Sequence, residues 1–196
     1  MKNTLVLITA NPDKNSLCYE NAAVIEKSAK KQGYNVIRYE AFDYPMVDKH
    51  PINARGFRKE FDQPSDDFVK ADSFVVVTPM WNFSLPGALK NFLDGSVQAR
   101  KSFTFKGVFG RFGVPVGLLK AKKVTCVWTS DGPALGLKVI FPWNGVKHQI
   151  KSIFWMCGVN KYRELVLDEV RWKCADETRK EKKMSQWFKK LEKNKW

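Results

Sequence analysis

Three short runs in this chain hold residue types that a packed core does not explain. The first, "NPDKNSL" at 11–17, strings Asn, Pro, Asp and Ser ahead of an apolar-periodic stretch, so a loop ends on a helix start. Free backbone N–H groups and the positive end of a helix dipole can hold an anion there, with Asn15 and Ser16 adding side-chain donors. The second, "TPMWNFSLP" at 78–86, sets Trp81 and Phe83 between two prolines directly after a strand, where rings usually have little to bury against. Those rings, and backbone amides from Met80 to Phe83, suit a planar ring system. The third, "SDGPALG" at 130–136, offers Gly132, whose missing Cβ lets the backbone approach a ligand closely.

The elements that must carry these runs follow from periodicity. Continuous apolar runs "TLVLITA" (4–10), "NVIRYEA" (35–41), "DSFVVVT" (72–78), "KVTCVWT" (123–129) and the start of "KYRELVLDEV" (161–170) read as five strands. Cys18, Ala22, Ile25 and Ala29 fall on one helical face that Gly33 closes, and "SDDFVKA" (65–71) gives a short helix. Pro86 is expected at the first position of a helix carrying Leu89, Phe92 and Leu93, with Leu85, inward. Further helices are expected at 146–157 and 176–193, the latter with Met184, Trp187, Phe188 and Leu191 on one stripe. Two insertions interrupt the alternation: 42–63, with the basic-aromatic "ARGFRKEF" at 54–61 as a short helix, and 100–122 as a hairpin or open loop. Strand and helix alternate throughout, which predicts one α/β domain over 1–196, a doubly wound five-stranded parallel sheet with helices on both faces. Ligands of such sheets sit beyond the carboxyl ends of the strands, so the loops after strands one, three and four should converge.

Charge and cysteines bound the setting. The 34 Lys+Arg against 20 Asp+Glu give a net charge of +14, a field that attracts anionic substrates. The C-terminal stretch 171–196 alone carries ten basic and four acidic side chains. Its basic character is open to a nucleic-acid or anionic-lipid surface, but its apolar stripe is expected to be the inner face of a final helix with lysines on the solvated side, and no recognised nucleic-acid module occurs elsewhere. Cys18, Cys126, Cys157 and Cys174 form no CxxC pair, and with only His50 and His148 they make no zinc cluster. No apolar run reaches the roughly 20 residues of a membrane span, and "TLVLITA" is short for a signal h-region and runs directly into the polar "NPDKN", so no signal sequence is expected there and the expected location is the cytoplasm.

A phosphate held at one end and a flat heterocycle at the other describe a flavin mononucleotide. On these residues the chain resembles the flavodoxin-like NAD(P)H:quinone oxidoreductase and FMN-dependent azoreductase superfamily: "ANPDKNSLCYENAAV" looks like its phosphate loop and "TPMWNFSLPGALKNFLD" like its ring loop. The resemblance runs from residue 1 to about 170. It implies that Asn11, Ser16, Leu17 and Cys18 surround the flavin phosphate and ribityl chain, that Pro79, Met80, Trp81, Asn82 and Phe83 line the isoalloxazine, and that Ser130, Asp131, Gly132 and Pro133 cover its pyrimidine edge. It further implies FMN as cofactor, with FAD open as the alternative, NAD(P)H as donor, a quinone, azo compound or similar small molecule as acceptor, and a homodimer. The chain departs from the family in having Asp131-Gly132-Pro133 where two glycines are usual, and Cys18 where a polar residue is common. Plainer roles stand beside these: Ser16 as a helix cap, Trp81 and Phe83 as rings covered by 100–122 or by a partner subunit, the run 103–112 as a subunit contact or substrate lid, and the whole chain as a flavin-binding sensor or accessory protein without turnover.

Overall fold

The computed structural model describes residues 2–46, 59–108, 112–121, 123–133, 136, 145–173 and 177–196. In chain order the elements are β1 (Thr4–Thr9), α1 (Leu17–Lys31), β2 (Asn35–Glu40), α2 (Asp62–Lys70), β3 (Ser73–Pro79), α3 (Gly87–Ser96), β4 (Phe103–Val108), β5 (Phe112–Gly117), β6 (Lys123–Thr129), α4 (Gly145–Met156), β7 (Lys161–Leu167), the single turn α5 (Val170–Lys173) and α6 (Glu177–Glu192). Short 3-10 turns occupy Ala41–Asp43 and Lys59–Phe61.

Five strands pair in parallel in the order β2-β1-β3-β6-β7, as the alternation predicts. Both faces of the sheet are covered, which is why the central strands read as unbroken apolar runs. Val6, Ile8, Phe74, Val76, Cys126 and Trp128 face one core with Phe68 of α2, Leu89 and Phe92 of α3 and Phe154 of α4. Leu5, Leu7, Val75, Val77 and Val127 face the other, with Cys18, Ala22, Ile25 and Ala29 of α1 and Met184, Trp187 and Leu191 of α6. The stripe on the final helix is therefore the inner face expected of it.

Three details differ from the sequence reading or sharpen it. Pro86 is the N-cap of α3 rather than its first residue, because its ψ of 139° is extended and the helix takes up at Gly87. Segment 100–122 is a hairpin: β4 and β5 pair antiparallel in a separate two-stranded sheet. Of the basic-aromatic run at 54–61, residues 54–58 lie outside the described residues, as do Cys174 and residue 176, and Lys59–Phe61 forms a 3-10 turn.

The hairpin is rooted at the far end of α4. Leu119 N–H donates to the Cys157 carbonyl at 3.1 Å, and a Cβ placed on Gly117 would lie 2.0 Å from the Gly158 nitrogen, so backbone meets backbone there. That root is about 18 Å along α4 from Gly145.

α6 is fastened to α1 by polar bonds as well as by area. The Trp187 indole N–H donates to Asn21 Oδ1 at 2.8 Å, and that of Trp196 donates to Ser28 Oγ at 3.1 Å. Replacing Trp187 by Phe leaves a buried acceptor on Asn21 without its donor, and the expected loss is about 2 kcal/mol of unfolding free energy. Urea unfolding of the variant beside wild type measures it; equal midpoints would show that the indole N–H contributes nothing.

Candidate functional site

The strand order reverses between β1 and β3, and the loops following β1, β3 and β6 leave three adjacent strands at one edge. Two backbone bonds tie them together just beyond the sheet: Ala10 N–H to the Val77 carbonyl and Met80 N–H to the Thr129 carbonyl, each at 2.9 Å. The predicted convergence is thus present in the backbone itself.

The first loop winds through two Asx turns. Asn11 Oδ1 accepts from Asp13 N–H and Asp13 Oδ1 accepts from Asn15 N–H, both at 2.9 Å, and the chain then enters α1 at Ser16. Ser16 occupies the N-cap position, yet its side chain makes no capping bond. Its hydroxyl oxygen is buried and has no partner among the described residues. A capping serine normally spends that oxygen on the first-turn N–H groups; here the hydroxyl does not, and while Tyr19 N–H donates to the Ser16 carbonyl at 2.9 Å, the N–H groups of Leu17 and Cys18 have no backbone partner among the described residues. One residue further in, the Cys18 thiol is pushed up by burial, against the opposing pull of hydrogen bonds with Asn11 and Thr129, and so stays neutral beside the helix start.

The second loop is a two-residue turn. Trp81 N–H donates to the Ser84 carbonyl at 3.0 Å and Ser84 N–H to the Trp81 carbonyl at 2.8 Å, with Asn82 at φ 48° and Phe83 at φ 61°. Both central residues are left-handed, the mark of a type I′ turn. Asn tolerates that region, but a phenylalanine there costs on the order of 1 kcal/mol or more. The turn holds its rings outward: Trp81 is 43% and Phe83 48% exposed, with Phe42 edge-on to Trp81 at 6.0 Å. The described residues of the hairpin, 103–108 and 112–117, leave these rings exposed.

The third loop is anchored to β7 and α5. Ser130 N–H donates to the Leu167 carbonyl at 3.1 Å, its carbonyl accepts from Val170 N–H at 3.0 Å, and its hydroxyl donates to the Gly132 carbonyl at 2.9 Å. The Asp131 carboxylate turns toward Arg171, accepting from its backbone N–H and its guanidinium, each at 3.3 Å. Asp131 thus offers the crevice its backbone, while Pro133 is exposed beside it.

Asn11, Ser16, Leu17 and Cys18, Pro79 to Phe83, and Ser130 to Pro133 accordingly lie on three neighbouring loops at one edge of the sheet. The sequence did not single out Phe42, Thr129, Gly145, Gln149 or Arg171, which touch those loops. An isolated Gln on a helix carries no signal of its contact. No group of His, Cys, Asp and Glu among the described residues could hold a metal ion, and no helix among them is long and apolar enough to cross a membrane.

Known proteins share this fold. An FMN-dependent NADH:quinone oxidoreductase of Staphylococcus haemolyticus is 26% identical over 189 residues, covering 84% of this chain and 86% of its own. The solved azoreductase of Bacillus anthracis str. Sterne superposes with a TM-score of 0.75 at 18% identity over 97% of both chains. An FMN-dependent NADH-azoreductase from Bacillus anthracis str. Ames Ancestor, solved in complex with FMN, superposes with a TM-score of 0.72 at 18% identity over 97% of this chain and 96% of that one. The family described as "Flavodoxin-like fold" matches residues 2–192, and with the sheet order and the convergent loops this makes the chain a member of that flavodoxin-like family.

Proposed function

We propose that this protein is an FMN-dependent oxidoreductase that takes electrons from NADH or NADPH and passes them to quinones, azo compounds or related small acceptors. The observation that carries the reading is the buried, unpartnered Ser16 hydroxyl at an uncapped helix start, on the same sheet edge as the outward-facing rings of Trp81 and Phe83. An anion and a flat heterocycle answer both features at once, and relatives whose names carry FMN and NADH support that choice.

The residues present fit the cofactor. Ser16, the N–H groups of Leu17 and Cys18, and Asn11 would hold the phosphate end. A neutral Cys18 thiol puts no negative charge beside it. Pro79, Met80, Trp81, Asn82 and Phe83 would line the ring, and Ser130, Asp131, Gly132 and Pro133 its pyrimidine edge. The flavin, once bound, supplies the two-electron chemistry at its N5 position; the protein contributes placement and electrostatics. No side chain is assigned as general acid or base. We further propose a single domain over 1–196 working in the cytoplasm as a homodimer. Its partner subunit would cover the exposed faces of Trp81 and Phe83 and complete a site that one chain leaves open.

The first test is the visible absorption spectrum after incubation with FMN and desalting, followed by NADH oxidation with a soluble quinone. Retained flavin peaks with steady turnover are expected. Flavin without turnover would instead identify a sensor or accessory protein, and a colourless protein would sink the reading. Replacing Ser16 by Ala should raise the FMN dissociation constant about tenfold or somewhat more, the lower end of what one hydrogen bond to a charged group contributes. An unchanged constant would return Ser16 to a structural role.

The net charge of +14 should draw in the phosphates of the nicotinamide donor. The KM for NADH is then expected to rise with added potassium chloride as the field is screened. A KM that stays level from low to high salt would remove charge from the account of donor binding.

A further inference from the structure

The strained turn at Trp81–Ser84 needs something to hold it, and α4 does so from outside the crevice. Gly145 N–H donates to the Phe83 carbonyl at 2.9 Å, and Gln149 Nε2 donates to Ser84 Oγ at 2.7 Å. The two residues are four apart, so they lie one above the other on the same helical face. A side chain at Gly145 is excluded by closeness: its Cβ would fall 2.6 Å from the Phe83 carbonyl oxygen. The helix making this grip is itself immobilised, since Val146, Ile150 and Phe154 are fully buried in the core.

Fixing the Phe83 carbonyl fixes the plane of the peptide between Phe83 and Ser84, and fixing Ser84 Oγ fixes the closing corner of the turn. The cross-turn bonds then leave little freedom at Asn82, which is exposed, left-handed and makes no hydrogen bond among the described residues. A donor held in advance in a strained geometry binds its ligand without the cost of ordering it.

We propose that Gln149, with Gly145, is a positioning residue for the flavin ring: it acts through Ser84 to hold the Trp81–Ser84 turn in the shape that receives the isoalloxazine. This rests on the flavin reading above. Neither residue touches the ring in this account; both act through the turn.

The test compares Gln149→Met, which keeps bulk and loses the donor, with Gln149→Glu, whose carboxylate can accept from the Ser84 hydroxyl and so restores the link with its polarity reversed. The readouts are the FMN dissociation constant by quenching of flavin fluorescence, the thermal midpoint of the flavin-free protein, and hydrogen exchange at the Ser84 amide. In Gln149→Met the dissociation constant should rise about fivefold, as for loss of one hydrogen bond. Gln149→Glu should recover most of that. Ser84→Ala should match Gln149→Met, and the double variant should be no worse than either single one. In the flavin-free protein, exchange at the Ser84 amide should quicken in Gln149→Met while core strand amides stay slow.

An unchanged dissociation constant in Gln149→Met, or a lowered thermal midpoint with the glutamate variant equally impaired, would overturn the proposal and leave Gln149 as an ordinary packing contact. Wild-type protein that takes up no FMN would overturn the flavin reading instead. Exchange at Ser84, which needs no flavin, would still decide whether α4 holds the turn.

Discussion

Parallel pairing of β1, β3 and β6 is the constraint from which the site follows. Three strands running the same way must all deliver their carboxyl ends to one edge, and the register aligns Thr9 with Val77 and Pro79 with Thr129. Loops of unrelated sequence are thereby set side by side, and the bonds from Ala10 to Val77 and from Met80 to Thr129 continue the sheet's own pattern into them. The two cores on either face keep the strands from slipping, because a shift by one residue would exchange the set facing α1 and α6 for the set facing α2, α3 and α4.

Against that rigid frame the site stores its strain locally. Two consecutive left-handed residues, one of them a phenylalanine, are unfavourable in isolation, and they persist because bonds across the turn and from α4 outweigh the cost. The first loop carries a different kind of tension, a buried hydroxyl without a partner among the described residues at the start of a fifteen-residue helix. Both are departures from local preference at one edge of a molecule whose central strands and helix faces follow it. The Schellman closure of α1, with Gly33 N–H to Lys30 and Tyr34 N–H to Ala29, shows the ordinary pattern at the opposite end of the same helix.

The sequence made the sheet legible because burial on both faces turns a strand into an unbroken apolar run, and β1, β3 and β6 are such runs. The site loops were legible through residues out of place: Trp81 and Phe83 in a loop directly after a strand, where rings usually have little to bury against. The type I′ turn was not, since Asn82-Phe83 lacks the glycine that usually announces it. Nor was the use of Ser16: a serine at a helix start looks the same whether its hydroxyl caps the helix or not. Gln149 was invisible for a related reason. Its contact with Ser84 joins residues 65 apart, and no local pattern encodes such a distance. Pro86 was misplaced by one position because proline suits both a cap and a first turn, and only ψ separates them.

The fastening of α1 by the last residues bears on how the molecule assembles. Ser28 donates to the Glu192 carbonyl and accepts from the Trp196 indole, Gln32 donates to the Asn194 carbonyl, and the Tyr34 hydroxyl donates to the Trp196 carbonyl, so separations of more than 160 residues are closed in one small region. On a ribosome β1 and α1 emerge before α6, and the apolar surface of Leu5, Leu7 and Ile25 waits for Trp187 and Leu191 to be made. Contacts of such sequence separation are slow to close. The outer side of α1 is therefore among the last parts of the nascent chain to be sealed, and until then it is the surface on which a chaperone would find its hold.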